Sequence, residues 1–423
     1  MSIRFQSHHD THTPGLIGFI LRLRQKLERR VTLPVNGWLQ NNAVWIVVSS
    51  CFFLVGMGLL MGTSASVDIA ASRYGDAFFF LKRQLIYLVV SCIACLIILK
   101  IPIIKWRAAY PWLLLISTAG LIFVLVPGIG KSVNGSARWI GFGPFNLQVS
   151  EFSKWFLVLF IADYIVRRKS EIRTNVMAFI KPMLVVGLTV VLLLAEPDFG
   201  ASAVILGTTL MMLFVAGSSI MPFLAILAFL IISAGLLVVF QEYRWERIIA
   251  YTDPWAQQFK SGYQLTQSLI AFGQGGITGR GLGESVQKLF YLPEAHTDFV
   301  FAVLAEELGL LMCMVIVLVY SILVFGVFYI AKRALARSEI FEAYAVFGVG
   351  LLIAVQAILN IGVNTGLLPT KGLTLPLMSY GGSSILVTLS MLAFVIRVEL
   401  ENKKPLRSFM MNQGYQPRTT FST

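Results

Sequence analysis

Long apolar runs separated by short polar segments dominate this chain of 423 residues. Runs long enough to cross the roughly 30 Å hydrocarbon core of a bilayer recur along almost its whole length. We place them at residues 43–62, 82–100, 109–127, 149–167, 182–196, 199–217, 220–240, 299–331, 343–366 and 377–397. The pattern predicts an all-α fold, that of a polytopic membrane protein with about ten transmembrane helices.

One connection, residues 241–298, is much longer than the others. Long loops in compact proteins are usually functional or disordered. This one carries many aromatic side chains and a cluster of glycines, so we expect an ordered loop between helices 7 and 8, with some helix of its own. The predicted organisation is an N-terminal arm (1–42), helices 1–7 (43–240), the large loop (241–298), helices 8–10 (299–397) and a C-terminal tail (398–423).

The charge of the chain agrees with this topology. It has 34 Lys and Arg against 21 Asp and Glu, a formal net charge of +13. The cations gather in the N-terminal arm, around residues 167–173 and 332–337, and after Arg397, which are alternate connections. The positive-inside rule therefore accounts for the charge without a nucleic-acid partner, and it places both termini in the cytoplasm and the large loop outside.

Two further features are not expected to form chemical sites. Residues 15–30 mix apolar side chains with cations, which predicts either a helix lying in the cytoplasmic interface or a plain juxtamembrane tether. The four cysteines all fall in apolar stretches. Cys92 and Cys95 form a C-x-x-C without a second pair, so we expect neither a disulfide framework nor a metal site there.

Titratable residues stand immediately before the eighth apolar run, where Glu294, His296 and Asp298 follow one another at alternate positions. Ionisable groups at such a depth are unfavourable unless they have a function. The helix dipole would favour the carboxylate form of Asp298. The alternative is that Asp298, or the threonine before it, only caps the helix. Capping does not explain Glu306 and Glu307, two turns further on.

A second polar group surrounds the start of the fourth run. It consists of Lys131, Asn134, Arg138 and Trp139 in the 128–148 loop, then Glu151 and Lys154. Glu151 and Lys154 are three residues apart and can form a buried structural ion pair on one helix face. The functional alternative is a cationic wall for an anionic substrate such as a pyrophosphate. Asp198, at the break after the fifth run, would face the same cavity or be a turn residue.

A third group lies near the end of the chain. It comprises Asn360, Asn364, the run Pro369-Thr370-Lys371-Gly372, and the run Ser379-Tyr380-Gly381-Gly382-Ser383. Prolines and glycines this close to a membrane face describe a re-entrant or broken-helix element. Such an element is tolerated only where it is buried in protein or lines a wet cavity. The pattern therefore indicates a site without naming its ligand.

Together these residues resemble the SEDS (shape, elongation, division and sporulation) family of bacterial peptidoglycan glycosyltransferases. The resemblance extends from Trp45 to Glu401 and rests on the ten runs, the large loop before the eighth, and the two signatures beginning at Pro369 and Ser379. The long basic N-terminal arm and the polar C-terminal tail resemble the cell-division branch of the family more than the elongation branch.

The resemblance implies polymerisation of lipid II into glycan strands in the bacterial inner membrane, at the division septum. It implies as partners a class B penicillin-binding transpeptidase of the FtsI type and other division membrane proteins. It implies Asp298 as the essential catalytic residue. The other candidates, which we assign to substrate binding, are Arg138, Glu151, Lys154, Asp198, Lys371 and Ser379.

The implied chemistry fits these residues. A general base has to take the proton from an acceptor sugar hydroxyl as it attacks the anomeric carbon, and we assign that role to Asp298. The departing polyprenyl pyrophosphate calls for cations, which Arg138, Lys154 or a divalent ion such as Mg²⁺ or Mn²⁺ would supply. A single displacement would invert the anomeric centre. No carboxylate cluster in the sequence marks a tight metal site, so the metal is left open.

Two other functions use some of the same features. A lipid II flippase would also need a lipid-sized groove and intramembrane charges such as Lys154, Glu306 and Glu307. A non-catalytic scaffold for division proteins would leave Asp298 dispensable. The concentration of aromatic residues, glycines and Asp298 in the loops favours the enzyme.

Overall fold

A computed structural model describes residues 37–402, except 134–135, 143–144, 219, 240–245, 247–248 and 371. The predicted interfacial segment 15–30 and the tail from residue 403 lie outside this part. The chain divides between Asn41 and Asn42. The packing described below concerns the unit that begins at Asn42.

Each predicted apolar run falls on a helix. In chain order the helices are α1 (Gly37–Tyr74), α2 (Phe79–Lys100), α3 (Ile103–Leu125), α4 (Val149–Arg167), α5 (Glu171–Thr174), α6 (Val176–Ala195), α7 (Phe199–Val215), α8 (Ile220–Val239), α9 (Tyr263–Gly275), α10 (Val300–Ala336), α11 (Ile340–Asn364) and α12 (Gly382–Asn402). The fifth predicted run, which we began at residue 182, starts six residues earlier as helix α6.

Among the described residues, seven helices are long and apolar enough to cross a membrane, namely α1 from Asn42, α2, α3, α6, α10, α11 and α12. Helix α7 and the first part of α8 are shorter apolar helices. Helix α4 has the length of a span but buries Glu151, Lys154 and Asp163. The molecule is therefore a polytopic helical membrane protein, as the sequence predicts.

Burial divides the helices into an interior and a periphery. In the most apolar windows of α11 and α12, 67% and 78% of residues are buried, against 22% in α2 and α3. Large apolar side chains such as Phe52 on α1 and Trp112 on α3 are exposed. In a membrane protein such side chains face lipid. The interior helices α4, α11 and α12 carry most of the buried polar groups described below.

Residues 130–148, for which we predicted only a loop, form a three-stranded antiparallel sheet. Its strands are β1 (Gly130–Val133), β2 (Ser136–Phe142) and β3 (Phe145–Gln148), paired in that order. Trp139 on the central strand pairs with Lys131 on one side and Gln148 on the other. The sequence carries a signal for this hairpin that we did not use: an Asn-Gly dipeptide at 134–135, the commonest pair for a two-residue β-turn.

The large loop confirms the expectation of an ordered segment with a helix of its own. Helix α9 buries Leu265 and Ala271 and packs against α10. At Gly275, a Cβ would overlap the backbone of Ala305 on α10. The glycine density of this loop therefore serves, at this position, the close approach of one backbone to another.

Helix α10 is broken at Gly309, whose φ of 74° lies in the left-handed region. The chain after α9 enters this break. The amides of Leu310 and Leu311 donate to the carbonyl oxygens of Gly276 and Ile277, at 3.0 and 3.2 Å. These bonds replace those that the helix loses at the break. They tie the large loop to the long piece of α10 after the break, while the amides of Arg280 and Gly281 donate to the carbonyl oxygens of Glu306 and Glu307 on the short piece before it, each at 3.0 Å.

Candidate functional site

Asp298 lies one residue before the N-cap of α10 and does not cap the helix. The N-cap residue is Phe299, and no side chain bonds to the first amides of the helix. The hydroxyl of Thr297 instead donates to the Glu294 carboxylate at 2.8 Å. The alternative that Asp298 or Thr297 is only a helix cap is therefore wrong. Asp298 as a whole residue is neither fully buried nor fully exposed, and its carboxyl is not used to cap the helix.

Two amide side chains of α11 hold the backbone of Asp298. The Nδ2 atoms of Asn360 and Asn364 donate to its carbonyl oxygen, at 2.9 and 3.0 Å. Asn364 also accepts, through Oδ1, a hydrogen bond from the amide of Ala302 at 3.1 Å. Both asparagines are buried. Asp298 is therefore held in place by two hydrogen bonds that uncharged side chains of α11 donate to its main chain.

Arg138 and the backbone of Gly372 meet Asp298 from two other elements. A Cβ built on Gly372 would lie 3.1 Å from Oδ2 of Asp298 and 3.9 Å from Nη1 of Arg138. Arg138 comes from strand β2, and its Nε and Nη2 atoms donate to the carbonyl oxygens of Glu196 and Pro197, at 3.3 and 2.6 Å. Strand β2 thus places the Arg138 guanidinium near the Asp298 carboxyl. Because residue 372 is a glycine, no side chain fills the space between the two groups.

The environment of Asp298 shifts its acidity. Burial, followed by the negative charge of Glu294, raises the pKa of the Asp298 carboxyl to about 7, against the opposing effect of Arg138. Asp198 makes a smaller contribution in the same direction as Glu294. A carboxyl with a pKa near the working pH is suited to general base catalysis. Such perturbed groups in a polar cluster are candidates for catalytic residues.

Asp198 lies at the break between α6 and α7, where it caps α7. Its Oδ1 accepts from the amide of Ala201 at 3.1 Å, and its Oδ2 accepts from the hydroxyl of Ser150 at 3.3 Å. Its carboxylate is buried. The structure therefore favours the interpretation of Asp198 as a turn residue. It is linked to the site through Arg138, which donates to the carbonyl oxygens of the two residues just before Asp198.

Glu151 and Lys154 form the buried ion pair that the spacing allows, with 2.8 Å between Nζ and Oε1. Lys154 also donates to Oε1 of Gln356 at 2.8 Å, and Gln356 donates to the carbonyl oxygen of Thr374 at 3.0 Å. This chain of contacts joins α4 and α11 to the segment before α12. It supports the interpretation of Glu151 and Lys154 as a buried structural ion pair, because the two charges are paired with each other inside the protein.

The segment between α11 and α12 is non-helical and largely buried in protein, as a broken-helix element requires. The hydroxyl of Ser379 accepts a hydrogen bond from the amide of Leu375 at 2.7 Å, and Ser379 is buried. The amide of Tyr380 donates to the carbonyl oxygen of His296 at 3.0 Å. Ser379 therefore supports the turn from within. Lys371, another substrate-binding candidate, lies outside the described residues.

Glu306 and Glu307 fasten the large loop to α10. Glu306 accepts hydrogen bonds from the hydroxyl of Ser285 at 2.5 Å and from the amide of Val286 at 2.9 Å. Glu307 pairs with Lys288 at 2.9 Å and accepts from the hydroxyl of a serine on α1 at 2.6 Å. Both carboxylates are fully buried. These residues thus hold the loop that leads into Asp298.

The polar pattern of the chain indicates Asn360 and Asn364 without giving them a role, and we did not recognise Gln356 as part of the same group. The signal was present. These three residues recur every four positions along an otherwise apolar helix, so they form one polar stripe. A polar stripe on a buried membrane helix predicts hydrogen bonds to another element. Within the described part of the chain, no group of three or more His, Cys, Asp or Glu side chains is placed to hold a metal ion.

Known proteins are similar to this chain in sequence and in fold. The family model FTSW_RODA_SPOVE, described as "Cell cycle protein", matches residues 44–404. The probable peptidoglycan glycosyltransferase FtsW of Hahella chejuensis is 50% identical over 356 residues, 84% of this chain and 89% of the relative. Its namesake in Pseudomonas fluorescens is 48% identical over 363 residues, 86% of this chain and 89% of the relative.

Solved structures agree. A chain from a peptidoglycan synthase complex, described for its coordination of polymerization and crosslinking, superposes with a TM-score of 0.67 at 26% identity, over 84% of this chain and 98% of that one. The rod shape determining protein RodA of Thermus thermophilus superposes with a TM-score of 0.64 at 26% identity, over 85% and 98%. The chain therefore belongs to the FtsW, RodA and SpoVE family of cell cycle proteins, the SEDS family that its motifs resemble.

Proposed function

We propose that this protein is a peptidoglycan glycosyltransferase that polymerises lipid II into glycan strands during septal cell-wall synthesis. The observation that carries the proposal is the setting of Asp298: its carboxyl, with a pKa raised to about 7, lies across the backbone of Gly372 from the Arg138 guanidinium. The FtsW relatives, close to half identical over most of this chain, bear the same activity in their names.

The chemistry follows from the two charged groups. Asp298 accepts the proton of an acceptor sugar hydroxyl, and the oxygen attacks the anomeric carbon of the lipid-linked donor. The bond from that carbon to the pyrophosphate oxygen breaks, and the electron pair leaves with the pyrophosphate. A single displacement inverts the anomeric centre, so an α-linked donor yields a β-linkage.

Arg138 is the residue best placed for the leaving group. Two of its nitrogens are held by backbone carbonyls, whereas Nη1 lies on the side of Gly372 and Asp298. A guanidinium has more N–H donors than those two bonds use. A cation held in place before the reaction stabilises the charge that develops on a departing phosphate.

A divalent cation such as Mg²⁺ or Mn²⁺ is compatible with this site only with help from the substrate. Mg²⁺ is commonly bound by one or two carboxylates together with substrate phosphates. Asp298 is the carboxylate that would contribute, since Asp198 is occupied as the cap of α7. A bound ion would supply further charge for the pyrophosphate. The proton transfer to Asp298 does not depend on it.

The proposal extends to partners and location. We infer assembly with a class B penicillin-binding transpeptidase and other division membrane proteins in the bacterial inner membrane, with enrichment at the septum. The related chain from a complex that coordinates polymerization and crosslinking supports a transpeptidase partner. The basic connections support cytoplasmic termini. With that topology Asp298 would lie at the outer face, where we infer that the lipid-linked sugars are polymerised.

The contacts of the intramembrane charges argue against a flippase. Lys154, Glu306 and Glu307 were the residues that a lipid II flippase would use. Each is buried and engaged in bonds between helices or between helix and loop. In this conformation the three charges are therefore engaged within the protein itself.

The test is glycan-strand formation from purified lipid II by the protein co-purified with its transpeptidase partner. We expect polymer from the wild type and from Glu284→Gln, which neutralises an exposed carboxylate of the same loop. We expect none from Asp298→Asn. Polymer from Asp298→Asn would remove Asp298 as the base. No polymer from the wild type, combined with movement of fluorescent lipid II across proteoliposomes, would establish the flippase instead.

A further inference from the structure

Five aromatic side chains form a cluster beside the candidate site. The rings of Tyr74, at the end of α1, and Phe79, at the start of α2, are stacked, with 4.0 Å between their centroids. The Phe80 ring stands nearly perpendicular to both, at 5.8 and 5.5 Å. It is also 4.7 Å from the ring of His296 and 5.1 Å from that of Tyr380. We call these five residues the aromatic cluster. Its member His296 is two residues before Asp298.

The aromatic cluster lies outside the hydrocarbon core of the membrane. From Asn42 to Tyr74, α1 has 33 residues. It is therefore about 50 Å long, whereas the hydrocarbon core is about 30 Å thick. The end that extends beyond the core is the one that carries the cluster, because residues 71–75 are all exposed and Arg73 and Asp76 are charged. Charged side chains are unfavourable in hydrocarbon. The open rings of the cluster are therefore next to water.

Packing accounts for Phe79 but not for Tyr74. The Tyr74 ring covers one face of Phe79, and the Arg83 guanidinium also lies over the Phe79 ring, 5.6 Å from its centroid. Tyr74 itself is 52% exposed, so the face that Phe79 does not cover is open. Phe78, in the connection between the two helices, is 52% exposed as well. Neighbouring aromatic rings left open to water indicate a binding surface.

The connection that carries these rings is held by its own hydrogen bonds. Gly75, whose φ is 68°, follows the last residue of α1. The carboxylate of Asp76 then accepts hydrogen bonds from the amide of Phe78 at 3.1 Å and from Nζ of Lys82 at 2.7 Å. A ligand that stacks on rings already in place loses less free energy to the ordering of side chains. The open rings are thus arranged before a ligand arrives.

The chemistry of the cluster indicates a sugar ring as its ligand. The face of an aromatic ring carries partial negative charge, and a β-linked pyranose ring presents a face of C–H bonds with partial positive charge. Charges of both signs, on Arg73, Asp76 and Lys82, flank the rings in sequence. Such a surface does not select an anion, so it suits the saccharide better than the pyrophosphate.

The cluster and Arg138 reach Asp298 from different elements. Arg138, which we assign to the pyrophosphate, belongs to strand β2. The cluster belongs to α1, α2 and the segment before α12, and it meets the chain of Asp298 at His296. A saccharide on the cluster would therefore have its reacting end at Asp298 without occupying the place of the leaving group.

We propose that the aromatic cluster binds sugar rings of the glycan strand, with the open rings of Tyr74 and its neighbour Phe78 as the stacking surface. The inference rests on the proposed function for the identity of the saccharide. It adds a contact that retains the strand near Asp298 between successive additions. The rings take no part in the proton transfer, so their loss should shorten the strands and leave the first coupling intact.

The test compares strand length with the rate of the first coupling, for the protein co-purified with its transpeptidase partner. In Tyr74→Leu an apolar side chain remains but the ring is lost. We expect the mean strand length to fall about two- to tenfold, the effect of one aromatic contact on retention of the strand. The initial rate of coupling between two lipid II molecules should stay close to wild type. Tyr74→Phe keeps the ring and should keep the strand length.

Two further variants control for loss of packing. Trp112→Leu removes an exposed ring that faces lipid on α3 and should leave strand length unchanged. Phe78→Leu removes an open ring that is not part of the stack between Tyr74 and Phe79, and it should shorten the strands as Tyr74→Leu does. A first-coupling rate that falls in step with strand length in both Tyr74→Leu and Phe78→Leu would make the rings structural and overturn the inference.

A direct probe separates this inference from the proposed function. A soluble β-linked oligomer of N-acetylglucosamine should bind to the Asp298→Asn complex, measured by saturation-transfer NMR, and bind more weakly when Tyr74→Leu is added. Equal strand lengths and equal oligomer binding with and without the Tyr74 ring would overturn the inference and leave the polymerase standing. Weaker oligomer binding in Tyr74→Leu, together with no polymer from the wild type, would overturn the polymerase and keep the saccharide site. Quenching of the added indole in Tyr74→Trp by brominated phosphatidylglycerol would place the ring in the bilayer and overturn the inference.

Discussion

The side-chain amide of Asn360 donates a hydrogen bond to the backbone carbonyl oxygen of Asp298 across 2.9 Å. The same nitrogen is 2.5 Å from the carbonyl oxygen of Leu373. One amide thus joins α11 to the residue before α10 and to the non-helical segment before α12. Asp298 is positioned through its main chain, and its carboxyl forms no ion pair with any of the described residues.

Removal of this amide should impair catalysis more than substrate binding. In Asn360→Leu, the carbonyls of Asp298 and Leu373 lose a donor, and the carboxyl is free to shift. Misplacement of a catalytic group by about 1 Å can lower a rate by about 10²-fold. We expect kcat for glycan polymerisation to fall between about 10- and 100-fold, with a smaller change in KM.

The control is Thr365→Val on the same helix. Among the described residues, the Thr365 hydroxyl donates to the carbonyl oxygens of Ile361 and Gly362, one turn earlier on α11, so activity should stay close to wild type. An Asn360→Leu protein that keeps full kcat would show that this hydrogen bond does not position Asp298.

The activity should depend on pH through the Asp298 carboxyl. Its raised pKa of about 7 means that the base form is lost as the pH falls below neutrality. We expect kcat/KM to rise with pH up to a plateau, with a midpoint near 7. Glu294→Gln removes a negative charge that raises this pKa, so the midpoint should move to lower pH. Initial rates from pH 5.5 to 8.5 measure both, and an unmoved midpoint in Glu294→Gln would contradict the electrostatic account.

The space between Asp298 and Arg138 should require glycine at 372. In Gly372→Ala the new methyl group would lie 3.1 Å from the carboxylate oxygen, closer than an ordinary contact. The carboxyl would have to move, so we expect a clear loss of kcat in a protein that still folds. Gly381→Ala is the control, since its methyl would sit at ordinary distances of 3.4 and 3.6 Å. Equal activity of both variants would show that the carboxyl can shift without penalty.

The ion pair of Lys288 and Glu307 should matter for stability. Both side chains are buried, at 2.9 Å. Removal of one partner from a buried pair usually destabilises a protein by about 3–5 kcal/mol, because the other charge stays buried without compensation. Lys288→Met should therefore lower the melting temperature in detergent. The double variant Lys288→Met/Glu307→Gln should recover much of the loss. A double variant less stable than Lys288→Met would refute this explanation.

The break in α10 should likewise depend on Gly309. Its φ of 74° and its contact with the backbone of Gly279 leave no room for a side chain. Gly309→Ala should destabilise the protein and loosen the large loop, as measured by limited proteolysis. Gly187→Ala, in open space on α6, should be neutral or stabilising. Intact protease resistance in Gly309→Ala would show that the break tolerates a side chain.

The sequence by itself determined the helices, because the bilayer imposes one length and one composition on every span. It also identified Asp298 as a candidate, because a charged residue at the end of an apolar run needs a reason to be there, and Arg138 as one of the cations in the loop before the fourth run. It did not predict the break in α10, since a glycine in an apolar helix gives the same pattern whether or not another backbone enters beside it.

The tertiary structure decided which candidates act together. Asp298, Arg138 and Gly372 come from three elements far apart in the chain, and only packing brings them within contact. Packing also excluded Glu151 and Lys154 from this group, because it pairs their charges with each other in the interior of the protein. Residue type and spacing describe what a side chain can do. Its neighbours, and hence its charge state and its role, depend on how distant helices meet, which local pattern does not encode.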